Sequence, residues 1–352
     1  NTMEVIKRCG FYATIFCASF LIYVYPFEVV RYLIQGDAQS AIYLLIQTII
    51  SALLVIYYLR SSSTFLPIKL FVYEGMGLGF ISFWIANFAL IMNNWLPFPS
   101  EFIGYSTILI ISLLFIFSHV STKFLNIKEI KLTSNKVKNN YCIVFISDVH
   151  LGSNSQSHLK KIIAKIHKIN PDIVLIGGDL IDSSSFQPSQ LDILRELSAK
   201  IYFVTGNHEY YLKNSRELLY ELKEHEMEIL DNENIDFKEL NIIGISDNTL
   251  RDEKIIFINN LIKNEKFNIC MVHQPSIWDD VSENIDVMLS GHTHKGQIFP
   301  FNFLVKLKFK YIYGEYQLNN GTLFVSSGAG TWGPRMRLGS FNEILKINLS
   351  TQ

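Results

Sequence analysis

Residues 141–150 read YCIVFISDVH: a run of mostly apolar residues, then Ser, Asp, Val and His. A continuous apolar run of this length suits a strand buried on both faces, and the polar residues fall just past its end. The pattern recurs four times. PDIVLI (171–176) leads into GGDLID, KIYFV (200–204) into TGNHEYY, NICMV (268–272) into HQP, and IDVML (285–289) into SGHTH. Between these runs, SHLKKIIAKIHKI (157–169) puts Leu159, Ile162, Ile163, Ile166 and Ile169 on one helical face behind a Ser157 cap; NSRELLYELKEHEM (214–227) reads similarly. Strands alternating with amphipathic helices predict a layered α/β domain, in which ligands gather outside the carboxyl ends of the strands.

The residues delivered there are Asp148, His150, Asp179, Asn207, His208, His273, His292 and His294. Each has a plain reading as a helix cap, a turn or a surface histidine. The pair His292 and His294 fits a polar surface loop as well as a metal site, since alternate residues of an extended segment point the same way. Five such motifs at five strand ends carry the functional reading. Carboxylates, an amide oxygen and imidazoles form an oxygen and nitrogen donor set that suits first-row divalent metals rather than calcium. Eight groups exceed one tetrahedral ion and suit two ions about 3.5–4 Å apart, sharing a carboxylate.

The front of the chain faces a different solvent. Of the 352 residues, 49% are hydrophobic, yet residues 1–125 hold only 6 Lys/Arg and 5 Asp/Glu, against 25 and 27 in residues 126–352. Stretches at about 8–25, 40–59, 70–92 and 102–120 each approach the roughly 20 residues that a spanning helix needs. A cleaved signal peptide is the alternative for the first, but no small-residue cleavage site precedes Pro26 and three further segments follow. Lys7, Arg8, Arg60, Lys69 and the group from Lys123 to Lys138 fall on one side of a four-span model, and Arg31 on the other, so both termini are expected to be cytoplasmic. Gly75 and Gly79 form a small-xxx-small pair for close helix approach, and Glu74 sits near the cytoplasmic end of its span. The expected organisation is a four-span region over 1–125, a basic juxtamembrane connector lying against lipid headgroups over 126–140, and the α/β domain over 141–352. Four cysteines show no spacing of a disulfide framework. The second half is net acidic by two and lacks a strong basic tract, so no nucleic-acid partner is expected.

DVH (148–150), GD (178–179), GNHE (206–209), VHQP (272–275) and GHTH (291–294) occur in the order of the pattern of the calcineurin-like metallophosphoesterases, and the second half resembles that superfamily. YGEY (313–316), SSGAGTWGPRMRLGS (326–340) and NEILKINL (342–349) resemble its membrane-associated bacterial branch. The resemblance implies a two-sheet α/β sandwich and a hydrolase of phosphoester or pyrophosphate bonds, in a bacterial inner membrane with its catalytic domain cytoplasmic. It further implies that Asp148, His150 and His294 bind one metal and Asn207, His273 and His292 a second, that Asp179 bridges them, and that His208 protonates or steadies the leaving oxygen. Mn²⁺ is the expected ion, with Fe, Zn or Ni also admitted by the donor set. Two residues depart from the branch: Lys295 stands where a glycine is usual, and Gln274 follows His273 where Asn or Glu is more familiar. Lys295 either binds phosphate or points to solvent.

The metal ligands do not choose a substrate. Tethering at the cytoplasmic leaflet favours a lipid or lipid-linked one by effective concentration, and the lipid bilayer is the expected partner. A phospholipid headgroup and UDP-2,3-diacylglucosamine, a substrate of related enzymes, are the two cases considered. Soluble nucleotide diesters, or a non-catalytic metal-binding scaffold, are the alternatives. VKLKFKY (305–311) reads either as a half-buried strand with a lysine edge or as a rim for acyl chains and lipid phosphates, and Arg335 is a candidate phosphate contact.

Overall fold

Apolar residues on both faces of the central strands reflect two coverings, one on each side. The computed structural model describes residues 2–61, 65–182, 186–212, 215–222 and 227–352. It divides into two compact units, Asn1–Ser121 with Gly333–Leu338, and Thr122–Trp332 with Gly339–Gln352.

The second unit holds twelve strands among the described residues: β1 (Leu125–Ser134), β2 (Tyr141–Ile146), β3 (Ile173–Gly177), β4 (Lys200–Val204), β5 (Met227–Ile229), β6 (Glu233–Phe237), β7 (Leu240–Ile245), β8 (Phe267–Val272), β9 (Val287–Ser290), β10 (Gly314–Leu318), β11 (Gly321–Val325) and β12 (Asn342–Thr351). They form two six-stranded sheets, ordered β1-β12-β2-β3-β4-β5 and β10-β11-β9-β8-β7-β6. Strands β2 to β5 are parallel to one another, as are β7, β8, β9 and β11. Side chains alternate between faces. Ile143 and Phe145 of β2 therefore join Leu175, Ile269, Met271 and Leu289 between the sheets, while Val144 and Ile146 pack under the helix Gln156–Ile169. On the far side of the second sheet, Cys270, Val272 and Met288 meet Ile258 and Trp278. The result is a two-sheet α/β sandwich with a helical layer outside each sheet.

Three local expectations are corrected. Residues 126–140, read as a connector against headgroups, begin with β1, which runs parallel to β12 from Leu125↔Asn342 to Ser134↔Thr351. The strand lies at the sheet edge and is half-exposed: Ile130, with Leu132 beside it, packs between the sheets, Leu125 joins the core on the other face, and Lys131 is exposed. Truncating Ile130 to alanine removes a buried side chain of about 2–4 kcal/mol, and the melting midpoint of the full chain in detergent should drop by about 5–15 °C. An isoleucine of a free connector would tolerate the same truncation, so an unchanged midpoint would return 126–140 to the connector reading. Ser157 is not the cap: the helix begins two residues earlier, behind Ser155. The helix expected over 214–227 is described at Ser215–Leu222, and Met227 already belongs to β5; residues 214 and 223–226 lie outside the described residues.

In the first unit, four helices are long and apolar enough to cross a membrane: Met3–Gln35, Ala41–Arg60, Leu66–Trp95 and Ser100–Ser121. The first runs past the expected boundary. Pro26 falls in the first turn of Tyr25–Gln35, behind a π-helical stretch at Phe20–Val24, where the missing N–H is tolerated. Gly79 explains a close crossing, since a Cβ there would lie 2.0 Å from the Ile22 carbonyl oxygen. Glu74 is engaged within this unit: its carboxylate lies 3.0 Å from His119 Nε2 and 3.1 Å from Arg335 Nε. The segment that carries Arg335 belongs to this unit, with the Arg337 amide donating to the Ser118 carbonyl at 2.9 Å.

Candidate metal centre

Each candidate ligand lies just beyond a parallel strand. Asp148 and His150 follow β2, Asp179 follows β3, Asn207 and His208 follow β4, His273 follows β8, and His292 and His294 follow β9. The first five come from one sheet and the last three from the other, so the cluster spans the carboxyl ends of both sheets. Asp148, His150 and His294 form one group with donor atoms within 4.8 Å of one another, and Asp179, His273 and His292 form another. Within the first, His150 Nε2 lies 3.1 Å from His294 Nε2, and His294 Nε2 lies 3.5 Å from Asp148 Oδ1. Within the second, His273 Nε2 lies 3.1 Å from Asp179 Oδ2 and 3.2 Å from His292 Nδ1. Asp179 touches both, because the same Oδ2 is 3.8 Å from His150 Nε2.

The backbone bends sharply to achieve this. Asp148, His150, Asp179, His292 and His294 all adopt positive φ, between 49° and 72°, a region that non-glycine residues seldom occupy. Lys295 shares it at φ 55°, which gives the glycine of the resembled branch a physical reason. Gly291 is required by space: a Cβ would sit 2.2 Å from Asp148 Oδ2. The His292 amide there donates to both oxygens of Asp148 at 3.1 Å, and the His208 amide donates to Asp179 Oδ1 at 2.9 Å.

Electrostatics separate the imidazoles. Burial, aided by His273, pushes His292 down to about 3, and burial also lowers His208, so both stay neutral. Burial alone would lower His273 as well, but the Asp179 carboxylate outweighs it and raises that imidazole well above its ordinary value. Conversely, burial would raise Asp179, and the surrounding His273, His150 and His208 outweigh it and hold the carboxyl far below the usual range. Asp148 is raised, chiefly by burial. His273 Nδ1 donates to the Gly177 carbonyl at 2.8 Å, which aims Nε2 into the cluster.

The residues fit a pair of divalent ions. Asn207 Oδ1 is buried and has no hydrogen-bond partner among the described residues, a costly state for an acceptor that a cation relieves. Neutral His292 supplies a lone pair, and uptake of a cation beside Asp179 displaces the proton on His273.

Several contributors were not singled out as functional in the sequence. Asp182 lies 3.3 Å from His150 Nδ1, at the ring nitrogen opposite the cluster. Glu209 accepts the amides of Asp179, Ile181 and Gly206 at 3.1, 3.0 and 2.7 Å. Gln274 donates to both oxygens of buried Asp247, which also pairs with Lys254. Asp182 and Glu209 stand inside GGDLID and GNHE, so their signal was their place in a ligand-bearing block. His208 occupies the rim of the cluster, 3.9 Å from Asp179 Oδ2, with Trp332 edge-on at 6.1 Å.

The two expected substrate contacts each have a neighbour within their own unit. Lys295 Nζ lies 4.3 Å from the centroid of the Tyr313 ring. Arg335 lies in the unit of the spanning helices, where Glu74 engages the charge that was assigned to phosphate.

Residues 142–296 match the family described as calcineurin-like phosphoesterase. An uncharacterized metallophosphoesterase of Campylobacter jejuni is 35% identical over 69% of this chain and 68% of its own length. One from Helicobacter pylori is 36% identical over 63% of each. A zebrafish (Danio rerio) protein named as a transmembrane protein with metallophosphoesterase domain is 32% identical over 59% of this chain. The matches span about two thirds of the two bacterial relatives and about half, 52%, of the fish protein.

Proposed function

The chain belongs to the calcineurin-like metallophosphoesterases, and from that premise we propose that it hydrolyses a phosphoester or pyrophosphate bond in a lipid or lipid-linked substrate at the cytoplasmic leaflet of a bacterial inner membrane. The observation that carries the hydrolase is the paired donor cluster with its unsatisfied Asn207 oxygen. The observation that favours a lipid is that the same chain supplies four helices of spanning length. Tethering raises the effective concentration of membrane substrates over soluble ones. The lysine and arginine distribution supports cytoplasmic termini and a cytoplasmic catalytic unit.

In this reading Asp148, His150 and His294 hold one ion, Asn207, His273 and His292 the other, and Asp179 is shared. The chemistry such ions would supply, Mn²⁺ in the first instance with Fe, Zn or Ni as alternatives, is activation of a water and neutralisation of phosphoryl charge. His208, neutral and at the rim, offers an N–H to the leaving oxygen. Asp182 faces His150 Nδ1 at 3.3 Å, and the Gly177 carbonyl fixes the ring of His273.

The test is mass spectrometry of bacterial membrane lipids and of UDP-2,3-diacylglucosamine after incubation with the full chain in detergent, loaded with Mn²⁺, beside His292→Ala. Loss of one phosphorus-containing lipid with wild type alone is the expected result, and its product names the bond. Hydrolysis of soluble nucleotide diesters with every lipid intact would refute the lipid reading while leaving the hydrolase standing.

A further inference from the structure

The segment Phe301–Lys308 is not the strand that alternation of VKLKFKY predicts but a helix. The segment does not pair with the sheet, whose terminal strand on this side is β10 (Gly314–Leu318). Leu and Lys are good helix formers, so the local preference prevails.

The change of period regroups the side chains. At about 100° per residue, Phe303, Leu307 and Leu304 fall on one stripe, with Lys306 on one flank and Lys308 on the other. No residue of this helix is buried, and Phe303, Leu304 and Leu307 are 56%, 51% and 84% exposed. Three large apolar side chains side by side in open solvent, framed by cations, mark a surface for an anionic amphiphile. The cations are available. Among the described residues neither Lys306 nor Lys308 has an ion-pair partner, whereas Lys310 is held by Asp279 at 2.8 Å.

The helix adjoins the metal centre through the residue that follows it. The chain leaves the helix through Phe309, whose ring meets that of His292 edge-on at 5.1 Å between centroids. Lys308 Nζ lies 5.3 Å from the centroid of the Phe309 ring, and its charge is among those felt at His292. We infer that Phe301–Lys308 seats the substrate, a phosphorylated amphiphile, with Lys308 beside the phosphate and Phe303, Leu304 and Leu307 along one acyl chain. A bare headgroup would use the lysine and leave the stripe exposed; an acyl chain adjoining an anionic phosphate uses both. The inference rests on the phosphoesterase reading and deepens it by assigning residues to the lipid part.

The experiment measures kcat/KM of the full chain in detergent with Mn²⁺, on phosphodiesters that share a headgroup and differ in acyl length, with bis(4-nitrophenyl) phosphate as a chainless ester. Partitioning into detergent is the same for every variant and cancels in ratios to wild type. Wild type should prefer the long chain, and Leu304→Ser with Leu307→Ser should cut the long-over-short ratio at least about tenfold, since two leucine side chains supply that much apolar contact. Lys308→Ala should raise KM across the series, and Lys308→Arg should restore it. An unchanged ratio in the double variant overturns the inference. So does a ratio that changes only in anionic-lipid nanodiscs, which would assign the stripe to the bilayer surface. Wild type inert toward every ester, the chainless one included, would remove the phosphoesterase reading itself.

Discussion

Asp179→Ala should lower hydrolysis of any accepted ester by at least about 10³-fold and leave the purified protein short of its metal complement, read by elemental analysis of the same sample. Its carboxylate has close partners in both donor groups. Its Oδ2 lies 3.1 Å from His273 Nε2, 3.8 Å from His150 Nε2 and 3.9 Å from His208 Nε2, and its Oδ1 accepts the His208 amide. Removing it takes away a carboxylate that lies within 4 Å of imidazoles of both donor groups and leaves His273 buried without the charge that holds its proton. Asp179→Asn separates the two losses: it retains an acceptor for the His208 amide but not the negative charge. The shared-ligand role predicts that Asn behaves like Ala in metal content and activity while its melting midpoint stays closer to wild type. Full metal content in the Asn variant would refute that role.

Glu209→Ala should be the most destabilising of the single truncations considered, at about 3–5 kcal/mol, because it strands three buried amides at once. The carboxylate ties the Asp179 turn to the Gly206 turn: Oε2 accepts from Asp179 and Gly206, and Oε1 from Ile181. Burial pushes its carboxyl up to about 7, with the charge of Asp179 adding to the rise. Glu209→Gln keeps one oxygen for the Asp179 and Gly206 amides and turns an N–H₂ toward Ile181. It should therefore lose about 1–3 kcal/mol, less than Ala. The readout is the melting midpoint of the full chain in detergent, in which Ala falls furthest and Gln lies between. Equal midpoints for Ala and wild type would mean that the three amides find other acceptors and that Glu209 does not organise the turns.

Much of the second unit was legible in the chain. β2 and β4 coincide with YCIVFI and KIYFV to the residue, and β3, β8 and β9 differ by one or two at their ends. Buried parallel strands advertise themselves as short apolar runs, and a ligand one to four residues beyond such a run is also a local signal. The helix with Leu159, Ile162, Ile163 and Ile166 fully buried was legible for the same reason. What failed was context. The 126–134 stretch carries lysines because an edge strand is only partly covered, and such a polar stretch looks like a basic linker until its strand partner is known. The alternation at 305–311 looks like a strand, yet residues 305–308 end a helix and no part of the stretch is a strand.

The sequence by itself determined the strand runs, the amphipathic helices, the four apolar spans and which side chains stand at strand ends, because each depends on neighbours within a few residues. Only the tertiary structure decided how those pieces meet. Long-range pairing depends on which edges remain open once the other strands are placed, so β1 finds β12 more than two hundred residues later. Side-chain direction beyond a strand end depends on backbone angles that local pattern does not encode. The positive φ at Asp148, His150, Asp179, His292 and His294 is what lets five residues from two sheets turn inward onto one centre. The same holds for Asp182 behind His150 and for Phe309 against His292: both residues are plain in the chain, and only the fold assigns each its neighbour.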